Sequence, residues 1–346
     1  MKKMTVIGYF GENGVCQGGQ SIKTVTITKA LTEIYGSEQV VCLKTSGKKK
    51  DIIKAPFFVL KALAESTNVI IMPASNGLRL LTPLLAICNL FFRRTIHYVV
   101  IGGWLPEFVS KRRLLKKRLR NFNYIYVETI LMKKVLEEEG FHNIVVMPNC
   151  KDLKIIEEKD IKTAVNEPIR LCTFSRVMKE KGIEDAIEAV EAINNTYGKT
   201  VLDLDIYGQV DENQTDWFDR LKTKFPPYIQ YKGVIRFDLS STVLKDYDAL
   251  LFPTYYSGEG FAGTLIDSFS AGLPVISSNW RYNADLVNEG YTGLLYETHN
   301  VRMLEEKIEW LIKNKEDWNR LRYNCIAEAH NYLPQKVVSI LADKMR

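Results

Sequence analysis

The stretch LFPTYYSGEGFAGTLIDSFSAGLPVI, residues 251–276, decides the fold. An apolar run ends at Phe252, and a turn carrying Gly258, Gly260 and Gly263 follows. A helical pattern then runs from Phe261 to Ala271, and Gly272-Leu-Pro274 stops it before a second apolar run. Strand, glycine-rich turn, helix and strand make one βαβ unit, which implies parallel strands joined by a right-handed crossover. Three glycines let the backbone approach a ligand closely. The first turn of the helix points unpaired amides and the positive end of its dipole into the same space. In outline this is a diphosphate site. Glu259 ends the turn, and Asp267 lies about two turns into the expected helix, where it can accept hydrogen bonds from a ribose diol.

The same alternation extends in both directions. Strands are expected over 169–174, 202–207, 229–232, 248–252, 274–277 and 293–296, with helices over 182–194 and 217–224 and further helices to the end. The first half repeats the pattern, with strands over 5–10, 39–43, 69–72, 96–101, 124–127 and 144–147. Helices there are expected over 21–35, 77–92, 108–120 and 130–139. Residues 152–167 between the halves are highly charged, lack aromatics and end in Asn166-Glu167-Pro168, which reads as a linker. The fold class expected is α/β, with two Rossmann-like doubly wound domains facing across a cleft. The first covers 1–160, with a C-terminal helix at about 332–346 packing back on it, and the second covers 166–331.

Two further elements carry chemistry. Phe174-Ser175-Arg176-Val-Met-Lys179-Glu-Lys181-Gly182 follows the first strand of the second domain, and Gly18-Gly19 lies in the loop after the first strand of the chain. Read alone, Arg176 and Lys181 form surface ion pairs with Glu180 or Glu184.

Taken together, these elements resemble the donor signature of glycosyltransferase family 4, a large retaining family of GT-B architecture whose motif is Glu, seven residues, Glu. Here it stands as Glu259, seven residues, Asp267, so the second carboxylate is shorter by one methylene. The resemblance covers most of the second domain in recognisable motifs and the first only in layout. It implies that Glu259 contacts the donor sugar's hydroxyls and Asp267 the ribose. Arg176 and Lys181, with Ser175 beside them, would bind the diphosphate. Gly260 and the amides of Phe261, Ala262, Gly263 and Thr264 would meet the phosphates, with Gly18 and Gly19 close by. The base pocket is expected near Tyr207-Gly208 and Val234-Ile235-Arg236. Many family members carry a histidine in a first-domain loop that here reads Ile101-Gly-Gly-Trp104-Leu-Pro-Glu107, which leaves Trp104 and Glu107 as acceptor-side candidates. The implied reaction moves a sugar from a nucleoside diphosphate sugar to a glycan or lipid-linked acceptor in surface polysaccharide synthesis. The nucleotide sugar is a co-substrate, and neither a cofactor nor a metal is expected. No G-x-S-x-G elbow, His-rich metal motif or Walker loop suggests another chemistry. Two alternatives keep the fold: an epimerase acting on the nucleotide sugar, and a partner subunit that binds nucleotide without chemistry.

Composition agrees with two domains. The 346 residues are 46% hydrophobic and 25% charged, which is ordinary for a globular chain and more than one core usually organises. Six scattered cysteines form neither a disulfide framework nor a zinc pattern, which points to a reducing cytoplasm. The apolar stretch 80–92 is interrupted by Thr82, Pro83 and Asn89, so no spanning segment is expected. The net charge of +6 is concentrated before residue 121, above all in Lys111 to Arg120. Leu114, Leu115 and Leu119 in that run allow two readings: a stripe meeting anionic lipid at the inner face of the membrane, or a solvated helix packing its leucines on the core. Nucleic acid is not expected, since no aromatic platforms interleave the charges. Asp203-Leu-Asp205 mimics an Asp-x-Asp metal motif but sits inside a strand pattern, and the four scattered histidines read as structural or exposed.

Overall fold

The structure is a computed structural model that describes residues 2–11, 18–45, 50–162 and 164–345. The chain divides into two units, Met1–Asp152 with Tyr332–Arg346, and Leu153–Asn331. The first is built on strands β1 (Lys2–Tyr9), β2 (Val40–Thr45), β3 (Ser66–Met72), β4 (Thr95–Val99), β5 (Tyr124–Val127) and β6 (Ile144–Val146). They pair in parallel in the order β2-β1-β3-β4-β5-β6. Near-continuous apolar runs suit this arrangement because helices cover both faces, and residues Val69, Ile70, Ile71 and Met72 of β3 are fully buried. Helices α1 (Gly18–Tyr35), α2 (Lys50–Glu65), α3 (Ser75–Phe92), α4 (Leu105–Ser110), α5 (Arg113–Leu119) and α6 (Ile130–Glu138) connect the strands. Thr129 caps α6 by accepting the Met132 amide.

Unit 2 contains β7 (Ile169–Phe174), α7 (Ile183–Tyr197), β8 (Leu202–Tyr207), α8 (Thr215–Lys222), β9 (Ile229–Gly233), α9 (Ser240–Leu244) and β10 (Ala249–Phe252). It continues through α10 (Gly263–Ser270), β11 (Val275–Ser278), β12 (Gly293–Tyr296), α11 (Val301–Lys313) and α12 (Lys315–Ala329). Its sheet runs β12-β11-β10-β7-β8-β9, also parallel. The last helix, α13 (Pro334–Ala342), belongs to unit 1, where Val337, Val338 and Leu341 join the core of Met4, Val6, Ile27 and Leu31.

The structure departs from the sequence reading at several points. No element was expected over residues 50–65, yet they form α2, which runs through Pro56. The single helix expected over 108–120 is two, α4 and α5, with Lys111 and Arg112 between them. Gly18 and Gly19 open α1 and do not sit in a loop before it. The charged segment read as a linker is anchored to unit 2. Ile156 and Ile161 pack with Ile326, and the Ile156 amide donates to Ser270 O at 2.9 Å. Within the basic run, Leu115 and Leu119 are buried, Lys116 pairs with Glu139 at 2.5 Å, and the Arg112 guanidinium stacks on the Phe108 ring at 3.9 Å. Two of the three leucines therefore pack on the core.

His97 on β4 is fully buried, with its ring nitrogens 2.9 Å from Tyr126 Oη and 3.1 Å from Asn68 Oδ1. Burial pushes its pKa down to about 3, so it stays neutral in the folded protein. The unfolded chain binds this proton below about pH 6.5 and the folded chain does not. Stability is therefore lost as pH falls from 6.5 toward 3, at up to about 1.4 kcal/mol per pH unit. Chemical denaturation of His97→Leu between neutral pH and about pH 5 should show a shallower dependence than wild type. Identical slopes would contradict the assignment.

Candidate active site

The order of strands in unit 2 places the site. β8 and β9 extend the sheet on one side of β7, and β10 to β12 extend it on the other, so the chain switches direction between β7 and β10. Loops leaving the carboxyl ends of the two strands at such a point diverge and leave a crevice. They are the loop 175–182 after β7, which holds Ser175, Arg176 and Lys181, and the loop 253–262 after β10, which holds Glu259 and Gly260 to Ala262. Backbone contacts tie them together. The Tyr255 amide donates to Glu180 O at 2.8 Å, and Thr264 Oγ1 donates to Phe174 O at 2.6 Å. Gly182 has φ +69°, and a Cβ there would overlap the Pro253 carbonyl, so only glycine lets the loops approach this closely.

Across this junction Lys181 Nζ lies 2.5 Å from Glu259 Oε2, and Thr254 Oγ1 donates to the same oxygen at 2.9 Å. Both charged side chains are largely withdrawn from water, at 12% and 9% exposed. The ammonium also lies 5.1 Å from the Tyr256 ring centroid and 5.6 Å from that of Phe252, within cation–π range. Trp280 Nε1 donates to Tyr256 O at 2.8 Å and holds the turn. Arg176 is different. Its side chain is 56% exposed, and it pairs among the described residues with Asp211 Oδ2 at 3.4 Å. The Asn213 amide, with help from Arg176, holds the Asp211 carboxyl below the usual range. Arg176 is thus free to swing toward a ligand.

The mouth of α10 lies two residues beyond its expected start. Gly260, Phe261 and Ala262 are buried and precede the helix, and Ala262 at the N-cap supplies no side-chain cap. The opening amides are therefore those of Gly263 and Thr264, and Phe261 and Ala262 lie outside the helix. Asp267 sits one turn in. It is buried and accepts a hydrogen bond from Ser240 Oγ at 2.8 Å. At the end of β8, Gly208 has φ +136°, and a Cβ there would overlap the Ser175 carbonyl, so this glycine holds the β8 turn against the β7 loop. Ile235 is half-buried in the segment after β9. These residues belong to unit 2, whereas Gly18 and Gly19 belong to unit 1, where no atom of the described residues would meet a Cβ at Gly19.

Sequence reasoning missed Thr254, Tyr256 and Ser240. A polar residue directly after a buried strand could have drawn attention to Thr254, but Ser240 leaves no sequence signal. Asp205 accepts from Tyr247 Oη at 2.6 Å and lies within 4 Å of Arg170 and Lys232, so it is committed to a structural network. Among the described residues no group of three or more His, Cys, Asp or Glu could hold a metal. Trp104 donates to Ile101 O at 2.8 Å, and Glu107 is exposed at the start of α4. Unit 1 has its own switch point between β1 and β3. A cavity of about 740 Å³ lies there, lined by Gly8, Tyr9 and Pro73 at the strand ends, Phe58 of α2 and Arg79 of α3.

Residues 154–328, about half of the chain, match the model of a family described as Glycosyl transferases group 1. The chain belongs to that family. Among its relatives is an uncharacterized glycosyltransferase of Methanocaldococcus jannaschii, 26% identical over 71% of this chain and 65% of its own length. The capsular polysaccharide biosynthesis glycosyltransferase CapM of Staphylococcus aureus is 27% identical over 53% of this chain and 47% of its own. The GtfA subunit of a UDP-N-acetylglucosamine–peptide N-acetylglucosaminyltransferase of Streptococcus gordonii is 26% identical over 62% and 43%. The matched stretch thus spans from under half to about two thirds of these relatives. Among solved structures, Anabaena HepE in complex with UDP superposes with a TM-score of 0.73 at 16% identity over 99% of both chains. Sucrose-phosphate synthase of Thermosynechococcus elongatus superposes with a TM-score of 0.75 at 15% identity over 99% and 98%. These likenesses show the fold, the GT-B type with two Rossmann-like units.

If Lys181 and Glu259 form one unit, their substitutions will not add. Thermal or chemical denaturation of Lys181→Met, Glu259→Gln and the double variant should give a coupling of about 0.5–3 kcal/mol. Additive effects would show that the pair does not exist in solution.

Proposed function

We propose that this protein is a retaining glycosyltransferase of the family 4 type. It moves a sugar from a nucleoside diphosphate sugar to a glycan or lipid-linked acceptor at the cytoplasmic face of the membrane, in surface polysaccharide synthesis. The observation that carries this reading is the Lys181–Glu259 pair at the β7/β10 switch point, with the uncapped mouth of α10 tied to the same strand end through Thr264.

The paired charges suit the two halves of a donor. An arriving β-phosphate competes for Lys181, and the hydroxyls of the sugar it carries can replace the ammonium as hydrogen-bond donors to Glu259. Arg176, exposed and weakly partnered, adds a second cation, and the Gly263 and Thr264 amides add dipoles. As the anomeric C–O bond to the diphosphate breaks, the leaving group gains charge that these groups hold. The acceptor hydroxyl forms the new bond on the same face and passes its proton to the departing phosphate oxygen. No protein nucleophile takes part. Asp267, oriented by Ser240, is assigned to the ribose, and the segments around Gly208 and Ile235 to the base. The cavity of unit 1 is assigned to the acceptor. The names of the Streptococcus GtfA relatives make UDP the first nucleotide to test, and that of CapM supports a capsular or related glycan.

Arg176→Ala and Glu259→Gln should each lower sugar transfer about a hundredfold or more while keeping a cooperative unfolding transition. Wild-type rates in either folded variant would overturn the assignment. Because the cations are in the chain, transfer should persist in EDTA, and the product should keep the donor's anomeric configuration by proton NMR. Loss of activity on chelation, or an inverted anomer, would contradict the mechanism.

A further inference from the structure

The apolar surface that water touches is unevenly distributed. Of six large apolar side chains more than 60% exposed among the described residues, five lie on α2, α3 and α5: Ile53 (84%), Phe57, Leu90, Phe91 (84%) and Leu114. Ile53, Phe57 and Leu60 recur at i, i+4 and i+7 on α2, and Ile87, Leu90 and Phe91 at i, i+3 and i+4 on α3, so each set forms one stripe. α2 packs against α3, and α3 against α5, which makes the three helices one layer on unit 1. Isolated exposed apolar residues need no explanation, but several of this size gathered in one layer do.

Charge says what covers the layer. Residues 50–120 hold three acids, Asp51, Glu65 and Glu107, against thirteen Lys and Arg. Lys54 and Arg79 are exposed on α2 and α3, Arg93 is exposed at the C-cap of α3, and Arg113 and Lys117 are exposed on α5. The core of a protein interface is depleted in charged residues, whereas apolar stripes flanked by Lys and Arg suit the boundary between anionic headgroups and acyl chains. α3 is long and apolar enough to cross a membrane, yet its Leu78, Leu81, Thr82 and Leu85 are buried in unit 1. Those contacts hold one face of α3 against unit 1 and leave the other exposed.

We propose that the α2–α3–α5 layer docks unit 1 on a bilayer containing anionic lipid. Ile53, Phe57, Leu90 and Phe91 enter the acyl boundary, and the surrounding Lys and Arg meet the headgroups. The contact differs from the one suggested by residues 111–120 alone, because Leu115 and Leu119 of that run face the core and α5 contributes mainly charge. The inference does not depend on the transfer reaction.

Flotation of the full chain with phosphatidylcholine vesicles, with and without phosphatidylglycerol, tests it. Wild type should float with the anionic vesicles, less so at high salt, and weakly with phosphatidylcholine alone. The Ile53→Ser/Phe57→Ser/Phe91→Ser variant should lose at least about tenfold in partitioning, equivalent to 1.4 kcal/mol. Its thermal midpoint and nucleotide binding should match wild type, because all three side chains are exposed. Lys117→Gln/Arg118→Gln should remove part of the salt-sensitive component only. Flotation of the triple variant like wild type, or failure of wild type to bind anionic vesicles, would overturn the proposal. Light scattering that shows a dimer lost in the triple variant, without flotation of wild type, would assign the face to a second copy and overturn it too. The assay uses neither donor nor acceptor, so its failure is separate from a failure of the transferase reading.

Discussion

The contact between Lys181 and Glu259 is the interaction on which the site in unit 2 depends. Two opposite charges held at 2.5 Å and largely out of water gain Coulomb energy but give up much of their hydration, and for such pairs the balance is often near zero against an apolar replacement. A pair with little to gain over an apolar replacement, which yet joins the loops after β7 and β10, fits the ligand exchange proposed for it. The rest of the junction holds the geometry. Gly182 lets the β7 loop approach Pro253, Glu180 accepts from the Tyr255 amide, and Thr264 ties the start of α10 to Phe174. The rigid element is the backbone, and the exchangeable element is the charge.

This division explains why the two cations behave so differently. Lys181 is enclosed by aromatic rings and a carboxylate, so its position is fixed before anything binds. Arg176 stands in solvent against Asp211 and can move at little cost, since exposed pairs of this kind contribute little. In the proposed function, one preset charge and one mobile one grip a diphosphate from two sides and follow it as it separates from the sugar. Asp267 and Ser240 form a second buried carboxylate arrangement on α10, one turn from the helix mouth, so the ribose and phosphate assignments fall on the same short helix.

Much of this was legible in the sequence because it rests on local rules. Glycines at strand ends, apolar runs and the Gly-Leu-Pro break are set by backbone sterics and burial, and they located the strands of both sheets to within a few residues. Glu259 stood out as a charge in a glycine-rich turn, and Arg176 and Lys181 through the resemblance to the family's Arg, four residues, Lys-Gly spacing. The pairing of Lys181 with Glu259 could not be read, because it joins residues 78 apart that meet only through the parallel adjacency of β7 and β10. Ser240 was invisible for the same reason. The α10 start was misjudged because Phe261 and Ala262 are apolar and suit a helix, yet both are consumed in burying the turn. The basic run allowed two readings. Its leucines gave a plausible lipid face in one dimension, but three-dimensional packing sends Leu115 and Leu119 inward and leaves the exposed apolar surface to α2 and α3, of which α2 was not anticipated.

In the proposed function, Lys181 serves a diphosphate and not merely Glu259. Calorimetric titration of UDP and of uridine into wild type and Lys181→Ala separates the two. The substitution should weaken UDP binding at least about tenfold and leave uridine binding unchanged, because only the charged part of the ligand is affected. Equal binding of UDP by the two proteins, or a parallel loss of UDP and uridine, would contradict it.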